Sequence, residues 1–275
     1  MGFFQSGGIL NRRGFFGGAA TPSYDSDAQA YITAVETADG QSLETGVKDA
    51  INSFVVGCKA DNIWDDISSC CILAGARTLN GFLTALKGTA PTNFNFVIGD
   101  YDRETGLLGN GTTKYLSTGI VGNTLSQNDA HISCYYTTVP SSTNPVAIGS
   151  GNASGNILIQ YFTTSTNINT ILHGFAFATA QATHPNNFLG ISRSSSSSFE
   201  QRYNQTTSNK SSTSQTPVGT GTILVYARRV SAGGGGATQF SDGRIAFYSV
   251  GLAINLANLD SRVDTLINDI ANAIT

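Results

Sequence analysis

Cleaving a glycosidic bond takes two carboxyl groups on one face, one to protonate the leaving oxygen and one to attack the sugar or activate water. The strand-rich part of this chain offers Asp100, Asp102, Glu104, Asp129, Glu200 and Asp242, and none of them falls in a Glu-x-Asp-x-x-Glu or similar run. No hydrolase of that kind is expected. Asp100, Asp102 and Glu104 alternate and could lend oxygens to calcium. The helix-loop-helix calcium pattern, however, wants Gly at 105 and Glu at 111, where the chain has Thr105 and Gly111. The expectation is a turn in which Arg103 solvates the carboxylates, with calcium as the one metal left open and no other cofactor.

The remaining reactive side chains are just as scattered. Of His131, His173 and His184, only His131 has a second soft ligand nearby, Cys134, and an offset of three on a strand sends the two side chains to opposite faces. No Gly-x-Ser-x-Gly elbow occurs to raise a serine nucleophile. Gly109-Asn-Gly-Thr-Thr-Lys114 lacks the spacing of a phosphate loop and is expected to be a hairpin turn. Cys58, Cys70, Cys71 and Cys134 form no CxxC motif and no disulfide framework for a chain of 275 residues, so they are expected as buried free thiols.

Charged residues make up 12% of the chain, against about 25% in ordinary soluble domains, and the net charge is −3. No basic cluster exceeds Arg12-Arg13 or Arg228-Arg229, so nucleic acid is not an expected partner. No apolar run approaches the roughly 20 residues that cross a bilayer, and membrane insertion is not expected.

The elements that would position these residues divide the chain. Ser26 with Gln29 opens a helix carrying Ala28, Tyr31, Ile32 and Val35 on one face. Leu43, Val47, Ile51, Phe54, Val55 and Cys58 stripe a second helix, and Ile63, Trp64, Ile67, Cys70 and Cys71 suggest a third. From about residue 88, short apolar runs recur at roughly ten-residue spacing between Gly, Ser, Asn and Pro, which favours a two-sheet sandwich. The run Arg244–Val250 predicts a strand packed on both faces. It delivers into a helix whose stripe is Leu256, Leu259, Val263, Leu266, Ile267, Ile270 and Ile274. The boundaries expected are an extended arm at 1–23, a small helical subdomain at 24–87, the sandwich at 88–254 and an amphipathic helix at 255–275.

In the arm, Phe3-Phe4 and Phe15-Phe16 flank Arg12-Arg13 among glycines. Such a segment cannot bury four phenylalanines alone, so these six residues are expected to dock into a neighbouring subunit. Met1-Gly2 meets a loose myristoylation pattern and Arg12-Arg13 a loose twin-arginine pattern, but no apolar run follows and no cleavable signal is expected.

Asp242-Gly-Arg-Ile-Ala-Phe-Tyr-Ser-Val-Gly251 followed by Leu256-Ala-Asn-Leu-Asp260 resembles the last strand and closing helix of the concanavalin A-like (laminin G-like) jelly-roll modules of tailed-bacteriophage virion proteins. Ala90–Phe96, Tyr101–Gly109 and Gly111–Leu116 resemble their opening strands, so the likeness spans roughly residues 88 to 275. It implies a mainly β, two-sheet concanavalin A-like jelly roll with a small N-terminal helical subdomain and a C-terminal helix. It further implies a non-enzymatic structural protein of a phage virion, made in the host cytoplasm, in a tail, fibre or capsid-decoration position. Its partners would be other virion subunits and further copies of itself, a trimer being favoured. The alternative is an adhesin that recognises host surface glycans, with Tyr135, Tyr136, Tyr161 or Tyr226 as the aromatic platform such sites use.

Overall fold

The computed structural model describes residues 1–2, 23–152, 155–162, 167–174, 177–181, 187–216, 221–229 and 236–274. Phe3, Phe4, Arg12, Arg13, Phe15, Phe16 and His184 lie outside the described residues.

The helices are α1 (Ser26–Asp39), α2 (Thr45–Ala60), α3 (Leu79–Phe82) and α4 (Leu256–Ile274). Strands come in chain order as β1 (Ile67–Ile72), β2 (Thr92–Phe94), β3 (Tyr101–Asp102), β4 (Gly106–Leu108), β5 (Tyr115–Val121) and β6 (Ala130–Thr138). There follow β7 (Val146–Asn152), β8 (Gly155–Phe162), β9 (Asn167–Gly174), β10 (Ala178–Gln181), β11 (Phe188–Arg193) and β12 (Ser198–Tyr203). The last are β13 (Thr206–Ser211), β14 (Thr222–Val225), β15 (Arg228–Arg229), β16 (Ala237–Thr238) and β17 (Arg244–Gly251).

Two antiparallel sheets form a sandwich. One runs β13-β12-β11-β6-β17-β4-β3 with β1 also paired to β17; the other runs β10-β9-β8-β7-β14-β5-β2. Strand β17 sits at the centre of the first sheet, and every residue from Ile245 to Gly251 is buried, as its two apolar faces require. Between the sheets, Tyr136 of β6 meets Tyr161 of β8 edge to face at 5.3 Å. On the opposite face of the same sheet, Phe247 meets Phe54 of α2 at 5.7 Å, and Tyr135 donates its hydroxyl proton to Asp264 of α4. The molecule is therefore layered as helices, sheet, sheet.

The sequence expectation of a third helix over Ile63–Cys71 is corrected: Ile67–Ile72 is a strand, and it pairs with β17 from Ile72↔Phe247 to Ile67↔Gly251. Its apolar residues mimic helical spacing because a strand covered on both faces loses the alternation that would reveal it. Through β1 the N-terminal helices share one continuous core with the sandwich. The serine-rich run Ser208–Ser214, which its composition marks as a loop tip, instead lends its first residues to β13.

Charged groups tie the helical layer down. Glu44 before α2 takes a two-pronged bond from Arg103 (3.1 and 2.7 Å) and a further bond from Arg77. The Arg103 guanidinium holds its carboxyl below the usual range. Asp61 after α2 binds Arg262 of α4 at 2.8 and 3.0 Å, and Arg202 of β12 binds Asp260 of α4 at 2.7 Å. Arg193 is wholly buried; it donates to the carbonyls of Leu172, Ser195, Ser198 and Ser212 and lies over the Phe199 ring. It thereby ties β9, β11 and the turn before β12.

All four cysteines are free and buried, and burial pushes the Cys58 thiol up to about 12 and raises the other three further. An aromatic disulfide reagent is expected to label none of them in the native protein and all of them in denaturant. Rapid labelling of any one without denaturant would contradict this packing.

Candidate functional site

At one end of the sandwich the C-terminal ends of β5 and β17 and the start of β1 come together with the loop after α3. A cleft of about 400 Å³ opens there. Its wall carries the hydroxyls of Ser68, Ser69, Thr89, Thr118, Thr124 and Ser126, interrupted by the aliphatic side chains of Ile120, Leu125 and Leu252. Gly88 and Gly119 complete it. Gly88 has φ +79°, and a Cβ there would stand 2.6 Å from the Ser68 carbonyl oxygen, so only glycine lets this loop lie against β1.

The hydroxyls differ in what they already hold. Thr118 donates to the Ile223 carbonyl and accepts from the Ile120 amide, and Thr124 donates to the Val121 carbonyl. Among the described residues, the hydroxyls of Ser68, Thr89 and Ser126 make no side-chain hydrogen bond, and these residues are exposed. Ser69 is 1% exposed, and its hydroxyl is turned to the Tyr248 hydroxyl in the interior. Leu252 is 42% exposed, a large apolar surface for a residue in a loop.

Behind Leu252 lies a buried polar relay. The Leu252 carbonyl can only accept, so His131 Nδ1 carries the proton and Nε2 accepts from Ser249 Oγ at 2.9 Å. Ser249 in turn stands 2.7 Å from Ser133 Oγ. The order serine, histidine, orienting acceptor is that of a nucleophile and base. Here Ser249, Ser133 and His131 are each 0% exposed, so the relay serves to satisfy polar groups beneath the sheet. Burial drags the His131 imidazole down to about 4. Cys134 lies on the other face of β6, in the core.

The tyrosines expected to form a sugar platform are corrected by their burial: Tyr136, Tyr161 and Tyr226 are 0% exposed and Tyr135 is 6% exposed. Tyr135 is covered by α4, Tyr136 reaches Ser241, and the Tyr226 hydroxyl donates to the Leu107 carbonyl and accepts from the Ile245 amide. A ring enclosed on both faces offers nothing to a ligand. The partly open aromatics are others: Tyr115 stacks on Phe94 at 4.3 Å with Phe240 6.1 Å away, so these ring faces are largely spent on one another.

The acidic turn is also corrected in detail. Asp102 accepts from the amides of Glu104 and Thr105 and from the Thr105 hydroxyl, Asp100 pairs with Lys114, and Arg103 turns away to Glu44. Among the described residues no group of three potential metal ligands occurs. Asn110 accepts from the amides of Thr112, Thr113 and Lys114, which makes 109–114 a tight side-chain-capped turn. No described helix is long and apolar enough to cross a membrane.

Two smaller hollows of about 210 Å³ each are lined by groups already paired with one another: Arg202 and Asp260 in one, Trp64 with Lys59 beside it in the other. The cleft beside β1 had no local sequence signal, because its lining comes from segments around residues 68, 88, 118–126 and 252.

No family model matches the chain, and no curated protein matches it. Among solved structures it is similar to NanB sialidase from Streptococcus pneumoniae, with 12% identity, a TM-score of 0.42, and 56% of this chain covered against 26% of that one. It is similar to a Ruminococcus gnavus IT-sialidase CBM40 bound to alpha2,6 sialyllactose, with 8% identity, a TM-score of 0.41, and coverage of 56% and 96%. A botulinum neurotoxin serotype D binding domain gives 11% identity, a TM-score of 0.46, and coverage of 73% and 51%. The chain thus spans about a quarter of the sialidase's length.

Proposed function

We propose that this chain is a carbohydrate-recognition module without catalytic activity of its own, and that the cleft between β1, β5 and the end of β17 receives the sugar. The observation that carries this reading is the wall itself, with uncommitted hydroxyls on Ser68, Thr89 and Ser126 set beside the half-buried Ile120 and Leu125 and the exposed Leu252 side chains. A sugar ring presents the same mixture, hydroxyls at its rim and C–H groups on its faces. The volume of about 400 Å³ falls within the roughly 300–1,000 Å³ of small-ligand sites.

The test is a glycan array probed with the purified chain and with Thr89→Trp, which fills the cleft from an exposed position. Wild type is expected to bind and the variant to lose at least tenfold in affinity while melting within about 2 °C of wild type. Binding that survives Thr89→Trp would place the sugar elsewhere.

The virion placement belongs to the same proposal: the sandwich would be displayed on a phage particle, with Phe3, Phe4, Phe15 and Phe16 docked in a neighbouring subunit. Its support is the resemblance of residues 88–275 and the tying of helices to sandwich by Arg103, Arg262 and Arg202, which suits a rigid displayed body. Antibodies against the sandwich should decorate intact particles. Absence of labelling would remove the placement and leave the recognition module standing.

A further inference from the structure

The charge around the cleft says more than its hydroxyls do. Among the described residues, no lysine, arginine or histidine lines it. The nearest cation in sequence, Lys87 beside Gly88, donates to the Trp64 carbonyl at 2.6 Å and lies 4.8 Å from the Trp64 ring centre, so it is already held. Leu252, by contrast, lies next to one acid, Asp129, and against the backbone of another. Its amide donates to the Asp66 carbonyl at 2.8 Å, and the next amide, Ala253, donates to the Asp129 carboxylate at 2.7 Å. Burial, with the Asp129 and Asp65 charges nearby, raises the Asp66 carboxyl above its ordinary range, the Lys87 charge opposing them.

Resting on the carbohydrate reading above, we infer that the cleft selects neutral sugars and rejects those bearing a carboxylate, such as sialic and uronic acids. A carboxylate entering here would lose water, find no cation to pair with among the described lining residues, and approach the Asp129 carboxylate held one residue beyond Leu252. A neutral ring meets none of these costs and can both donate to and accept from Ser68, Thr89 and Ser126. The discrimination is thus built from the absence of an attractive partner together with a repulsive one.

The experiment compares matched pairs on one array, neutral oligosaccharides and the same structures carrying sialic acid or a uronic acid, at 150 mM and at 20 mM salt. Each is probed with wild type, Thr89→Trp and Ser126→Lys. The expected result is binding to neutral members at least tenfold tighter than to their acidic partners, with the gap widening at low salt and closing in Ser126→Lys. Tighter binding to the acidic members that Thr89→Trp abolishes would overturn this inference while leaving the carbohydrate reading intact. Binding to neither class would overturn both.

Discussion

A chain ending at Asn255 is expected to lack a cooperative melting transition. Helix α4 buries Leu256, Leu259, Val263, Leu266, Ile267 and Ile270, each at most 4% exposed. Full burial of one such side chain is worth about 1.5–3 kcal/mol, so their loss removes roughly 9–18 kcal/mol. That is comparable to the whole stability of an ordinary domain, about 5–15 kcal/mol. The truncation also strands Asp61, Arg202 and the Tyr135 hydroxyl, whose partners Arg262, Asp260 and Asp264 all sit on α4. Circular dichroism on heating is the measurement. A sharp transition within a few degrees of wild type would mean that the helix merely decorates the sheet, contrary to the layered core described here.

The second large effect is acid sensitivity centred on two imidazoles. Burial lowers both His131 and His173 to about 4 in the folded protein, the Arg193 charge adding to the effect at His173. Unfolded, each titrates near 6.5. Between those values the unfolded chain binds more protons than the native one, so stability is intact above pH 6.5 and falls as pH drops toward 4. At 1.36 kcal/mol per pKa unit, each imidazole costs about 3 kcal/mol once the pH reaches 4. Asp66 and Asp260, whose carboxyls burial raises, offset part of this by taking up protons in the native state. Urea midpoints at pH 7.5, 6.5, 5.5 and 4.5 should be level between the first two and then drop steeply. His131→Gln should flatten about half of the slope. A midpoint unchanged down to pH 4.5 would show that both rings stay solvated.

How much of this was legible beforehand depended on whether a residue's surroundings were local. The β17–α4 pair was, since Arg244–Val250 and the Leu256-to-Ile270 stripe each carry their own periodicity and need only one covering partner to make sense of it. Strand β1 was not, because Ile67-Ser-Ser-Cys-Cys-Ile72 is covered by helices and neighbouring strands alike and so shows no alternation. The tyrosines failed for a related reason. On an ordinary sandwich one strand face meets water, and Tyr135 and Tyr136, being adjacent, cannot both be inside. Here the helical layer closes the second face, and α4 covers Tyr135 while the opposing sheet covers Tyr136. The cleft was out of reach altogether: Thr89, Ser126 and Leu252 are unremarkable in their own neighbourhoods and meet only in the folded molecule.

Sugar recognition by this chain is placed in the cleft between β1, β5 and the end of β17. The most direct measurement is a titration of ¹⁵N-labelled protein with a neutral glycan that the array identifies, following backbone amides. Shifts confined to residues around Gly88, Thr89, Gly119, Ser126 and Leu252, absent in Thr89→Trp, are the predicted result. Shifts centred instead on Phe94 and Tyr115, or on Gln205 and Thr265, with the amides around Leu252 unmoved, would contradict it.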